Sequence, residues 1–298
     1  MPIIYKDFFG FTRDSYPYVT MYDNEDKREV CETLKCTTKI AISLGDLEIL
    51  SSLPQIERIV LLPGAVTEQG LRELYSLQDL KLLAISYYET DAKAKDRIDL
   101  SHFSKLSTLV SNTSLNFIRL DECDSIQTVK VLKWKENSFQ QFSGLRKLDT
   151  VDVSFAPILT LDGIENTALQ CLHLSYCRNL KDISAIMGCE SLKLLRIENC
   201  PRIIDIEQTV KQLNNLVSLS ITGKGEFQNL SFISDLNNLK FFVSDYNVAD
   251  GNLIALKNLP YASILQNRRH YNIKDDDLPR EKSVSMGNED IPIWRRIE

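Results

Sequence analysis

The sequence predicts an α/β solenoid, in which stacked repeats each give one strand to a parallel sheet and a short helix or loop to the opposite side. Three observations predict it. An apolar ruler recurs in register within residues 169–206. Its centre alternates as a strand does, and its second half reads as a short outer helix.

The ruler is Leu169, Leu172, Leu174, Cys177, Leu180 and Ile183, which returns as Leu192, Leu195, Ile197, Cys200, Ile203 and Ile206, each 23 positions on. This L-x-x-L-x-L-x-x-C-x-x-L-x-x-I pattern resembles the leucine-rich repeat family. Asp99-Leu100-Ser101 and Asp182-Ile183-Ser184 add a likeness to bacterial, internalin-type repeats. The resemblance implies a horseshoe with the parallel sheet on its concave face and short helices and loops on its convex face. A single repeat cannot bury its apolar edge alone, so the repeats must stack.

In chain order, residues 1–33 do not match the ruler and are rich in aromatics, as an N-terminal cap over the first repeat would be. Residues 34–267 are expected to hold about ten repeats. Their inward L-x-L pairs begin at Ile40, Ile59, Leu83, Ile118, Val151, Leu172, Leu195, Leu219, Phe242 and Ala262. The separations are 19, 24, 35, 33, 21, 23, 24, 23 and 20, so irregular repeats are expected around 87–140, on both sides of Ile118. Thr67 to Leu74 predicts a fuller helix, and Asp182 and Asp205 are plausible caps for outer ones. Thr128 to Lys135 alternates like an extra strand. Lys130, Lys133 and Lys135 around Trp134 are better explained as a solvated strand face than as a phosphate contact. Residues 268–298 are charged and leave the ruler, as a C-terminal cap or tail.

Composition excludes several classes. The chain has 298 residues, 43% of them hydrophobic, with a net charge of −6. Its isoelectric point near 5.3 argues against nucleic acid or an anionic membrane as a general partner. No run approaches the roughly 20 apolar residues of a membrane helix, and no secretory signal is read at the start. The seven cysteines include no C-x-x-C pair. Cys123, Cys177 and Cys200 sit where the ruler wants a small apolar residue, so a reduced, cytoplasmic compartment is expected.

No motif for catalysis, metal or cofactor is present, and none of the three is expected. Cys171 and His173 share a strand face with Asp152 one strand away, which would suit a dyad or a metal. Residues two apart on a strand are some 6–7 Å apart and parallel, which disfavours both.

Residues one and three places after each mark should face the concavity. They gather charge at the centre: Arg119, Asp121, Asp152, His173, Arg196, Glu198 and Asp245. The next place adds the aromatics Tyr87, Phe155, Tyr176 and Tyr246 along one rim. Aromatics beside charge are the composition of protein-binding hot spots. Any solenoid must also make its open face polar, and Arg119–Asp152 and Arg196–Glu198 would then simply neutralise each other. The expectation is a monomeric, non-enzymatic protein that binds another protein on its concave face. An inhibitor or immunity-type protein is its specific form, and an effector or adaptor selecting a host or cellular target is the alternative.

Overall fold

The computed structural model describes residues 38–62, 67–85, 98–111 and 117–281, with the backbone alone of 3–5, 18–21, 97 and 116. Two compact units divide it, one up to Lys133 and the other from Trp134 to Arg296.

In the first unit, β1 (Ile3–Tyr5) runs antiparallel to β2 (Tyr18–Met21), which lies parallel to β3 (Lys39–Ser43). The parallel sheet continues through β4 (Arg58–Leu62) and β5 (Leu82–Ile85). A separate parallel pair, β6 (Arg97–Asp99) and β8 (Asn116–Ile118), stands outside that sheet. The sheet itself goes on from β5 to β7 (Thr108–Ser111) and β9 (Thr128–Leu132). Helix α1 (Glu68–Tyr75) starts where its sequence says, with the Thr67 hydroxyl accepting from the Gly70 amide at 2.9 Å.

This topology corrects the register at Ile118. The inward pairs of the sheet begin at Leu109 and Val129, each 0% exposed, so from Leu83 to Val151 the separations are 26, 20 and 22. The two long gaps were three ordinary repeats. Phe117-Ile118-Arg119-Leu120 imitates an L-x-L core, but Ile118 pairs with Asp99 in the outer strand pair. Thr128 to Leu132 is accordingly a strand of the sheet and not an addition to it.

In the second unit the sheet order is β10 (Thr150–Ser154), β11 (Cys171–Ser175), β12 (Leu194–Glu198), β13 (Ser218–Thr222), β15 (Phe241–Ser244) and β17 (Tyr261–Ser263), all parallel. A short outer pair joins β14 (Glu226–Phe227) to β16 (Asn247–Val248). Strands pair in register with the ruler, Val151 to Leu172 to Leu195 to Leu219 to Phe242 to Ala262. These inward residues are at most 1% exposed, and each but Ala262 contributes about 1.5–3 kcal/mol by leaving water. The outer side is mostly single 3₁₀ turns, with one short helix, α2 (Ile206–Val210). Asp182 accepts from the Ser184 amide at 2.8 Å, but it stands one residue before the cap position, which Ile183 holds with no side-chain bond. Asp205 occupies the cap position of α2 in a left-handed conformation, and its side chain makes no capping bond. After β17 the Asp275 carboxylate accepts from the Ile264 amide at 2.7 Å, and Arg280 stacks 5.2 Å over Tyr261. An antiparallel bridge between Tyr261 and Arg280 covers the last strand's edge.

Candidate protein-binding face

The site is built on β10, β11 and β12 of the second unit. Strand alternation turns Asp152, His173 and Arg196 away from the core, and parallel pairing sets them side by side; Ser154, Ser175 and Glu198 form the next row. His173 Nδ1 lies 3.1 Å from Asp152 Oδ1, and Nε2 lies 3.5 Å from Glu198 Oε2. The Arg196 guanidinium pairs with the Glu198 carboxylate on the same strand.

These neighbours set the protonation. Burial works to lower the His173 pKa, but the Asp152 and Glu198 carboxylates outweigh it, and the imidazole titrates above its ordinary value. His173 foremost, then Arg196, hold the Glu198 carboxyl down to about 2 against the opposing effect of its burial. Both imidazole nitrogens therefore lie against carboxylates. Cys171, besides, is 1% exposed and out of a substrate's reach. Among the described residues no group of three or more His, Cys, Asp or Glu side chains is arranged to hold a metal ion, and no helix is long and apolar enough to cross a membrane.

Two residues earlier on the same face, Cys171, Leu194 and Phe241 form a buried apolar floor with Val243 and Tyr261 packed on it. The first unit has a counterpart in Ala41, Val60, Leu82, Ala84 and Val110. The polar network therefore sits beside apolar surface.

At the rim, Phe155 and Tyr176 stack with centroids 4.8 Å apart and planes 4° from parallel. Their side chains stay in solvent, at 53% and 37% exposure. Both residues have φ of 54°, in the left-handed region. The cause is the turn out of the strand. The Phe155 amide donates to Ser175 O at 2.9 Å, Tyr176 to Glu198 O at 2.8 Å and Asn199 to Thr222 O at 2.8 Å, after which the chain bends outward. The same offset holds Lys133 (φ 66°), Asn199 (φ 52°) and Gly223 (φ 119°), of which Asn and Gly tolerate this conformation best. For a bulky side chain it costs about 1–2 kcal/mol.

The structure thus brings together Asp152, Phe155, His173, Tyr176, Arg196 and Glu198. The other predicted residues lie elsewhere. Arg119 and Asp121 are not on the strand face: they follow outer strand β8, and Arg119 pairs with Asp99 rather than with Asp152. Tyr246 is not on the rim. Its ring is 6% exposed and packs 5.1 Å from Phe227, and burial pushes its hydroxyl pKa up to about 12. Asp245 is committed to the neighbouring loop, accepting from the Gly223 amide at 2.7 Å. Tyr87 lies outside the described residues. Sequence reasoning missed the exposed Leu159 and Ile204 on the loops that leave β10 and β12. Their apolar character three residues past Ala156 and four past Cys200 was the available signal.

The sequence matches no family model and no curated protein. Among solved structures, this fold resembles an internalin of Listeria monocytogenes, with a TM-score of 0.58, 17% identity, and coverage of 82% of this chain and 71% of that one. A second internalin of that organism, internalin C2, gives 0.44 at 16% identity over 56% and 71%. A leucine-rich-repeat protein of Leptospira interrogans gives 0.47 at 14% identity over 83% and 82%.

Proposed function

We propose that this chain, a leucine-rich-repeat solenoid in fold, is a non-catalytic module that binds another protein through β10–β12 and the adjoining rim. Fold alone does not assign function; the site must carry it. One observation supports the reading most. Two aromatic rings are held in solvent, stacked on each other, at left-handed backbone positions that disfavour bulky side chains, where the same offset elsewhere carries Lys133, Asn199 and Gly223. Strain kept at an exposed aromatic pair is a mark of a functional position, and rigid exposed rings are what hot spots are made of. An inhibitor or immunity-type protein, which works by covering its partner, needs no more than such a face. The five described cysteines are buried and none is in a disulfide, which favours a reducing, cytoplasmic setting.

The test compares the full chain with the double variant Phe155→Asn/Tyr176→Asn in affinity capture from the source cell. The wild type should retain a specific protein and the variant should lose it. The variant's thermal midpoint should stay within a few degrees of wild type, because relief of about 1–2 kcal/mol of left-handed strain per residue offsets a lost ring stack of about 0.5–1.5 kcal/mol. Retention of the same partner by the variant would sink the reading.

A further inference from the structure

The charges on the strand face already satisfy one another. His173 sits between Asp152 and Glu198, and Arg196 pairs with Glu198. A partner that pulled them apart would have to repay their desolvation, so this network is a poor source of attraction. The loops leaving β10, β11 and β12 differ. Lys181 N donates to Leu159 O and Ile204 N to Lys181 O, each at 3.0 Å, so these loops run as a second ladder beyond the aromatic rim. Leu159 and Ile204 on that ladder are 43% and 60% exposed. Around them stand Arg178, Lys181 and Arg202, all exposed. Among the described residues none of the three has a carboxylate partner; Arg202 reaches only the Asn179 side-chain oxygen, at 3.3 Å. The carboxylate that follows Lys181, that of Asp182, is turned to the Ser184 amide. Asp205 adjoins Ile204, and Asp162, three residues past Leu159, accepts from the Thr160 hydroxyl at 2.8 Å, so the three acids of these loops leave the three cations without an ion pair.

We infer that the partner presents an acidic segment with apolar anchors, read by the loops that leave β10–β12 together with the Phe155–Tyr176 stack. This rests on the protein-binding reading and adds the partner's chemistry. Unpaired exposed cations steer an acidic surface inward and fix its register at little desolvation cost. The exposed rings and aliphatic side chains give the anchors a place to bury. A polyanion such as nucleic acid fits less well. The patch offers few cations in a chain of net charge −6, and Leu159 and Ile204 have no use for a phosphate backbone.

The test pans a random linear peptide library displayed on phage against the full chain. Enriched sequences should carry Asp or Glu beside aromatic or aliphatic residues. A selected peptide should bind about tenfold or more weakly to Arg178→Glu/Lys181→Glu/Arg202→Glu, and more weakly as salt rises. Lys257→Glu, an exposed charge reversal on the turn before β17, should leave that affinity unchanged. Circular dichroism of each variant checks folding, which exposed positions should not disturb. Enrichment of basic or uncharged sequences, no enrichment, or equal binding to the charge-reversed variant overturns the inference. So does tighter binding of polyuridylate or phosphatidylserine vesicles than of any peptide. If a peptide is lost only with Asp152→Asn, the loops are excluded while protein binding through the strands stands.

Discussion

His173 joins a stability effect to a binding face. Its folded pKa is raised above the ordinary 6.5, so the stabilisation is fully present below about pH 6.5 and is lost as pH rises through the folded value. Glu198 works in the opposite sense. Its pKa is lowered from 4.5 to about 2, so its contribution is present above about pH 4.5 and is lost as pH falls toward 2. The network is strongest between those limits. Urea unfolding at pH 6 and pH 9 should show the wild type losing stability at the higher pH, and His173→Gln should remove most of that difference. An equal loss in the variant would mean that another group carries the slope. Both residues were legible in the sequence as outward positions of adjacent repeats. Their pairing was not, because side-chain reach across strands depends on the register between them.

At the scale of the element, helices and turns follow local chemistry where it is strong. Thr67-Glu68-Gln69-Gly70 announces α1 because the cap and the first turn lie within four residues. Glycine makes a similar local demand at Gly163, where φ is 105° and an added Cβ would collide with the Phe139 carbonyl oxygen and Gln140 Cα. Gly163→Ala should therefore lower stability by more than about 1 kcal/mol, read as an earlier urea midpoint; an unchanged midpoint would show that the 139–140 turn yields easily. Strand identity is less local. Phe117-Ile118-Arg119-Leu120 alternates as well as Thr108 to Ser111 does, and only pairing with Leu83 and Val129 shows that Leu109 belongs to the sheet. Tyr246 is similar. It shares the offset of Tyr176, yet the outer pair β14–β16 brings Phe227 against it and buries the ring.

In the molecule as a whole, stability should behave as a sum over neighbouring repeats. Val151 and Phe242 lie on β10 and β15, with β11, β12 and β13 between them. Val151→Ala and Phe242→Leu should add within about 0.5 kcal/mol in a double variant. Leu172 and Leu195 are register partners on adjacent strands, and their paired alanine substitutions should depart from additivity by about 0.5–3 kcal/mol. Strong coupling in the distant pair, measured by urea unfolding, would contradict a nearest-neighbour solenoid.

The sequence by itself determined the repeat, its strand periodicity and the residues aimed away from the core, because period and burial are written in the spacing of apolar side chains. Tertiary structure decided which of those outward residues meet. Register placed His173 between two carboxylates, the turn out of each strand raised Phe155 and Tyr176 at a left-handed backbone, and the outer pairs β6–β8 and β14–β16 withdrew Arg119 and Tyr246 from the face. Those outcomes depend on contacts between residues about 20 positions apart in sequence, one repeat's length, which no single stretch of the chain encodes alone.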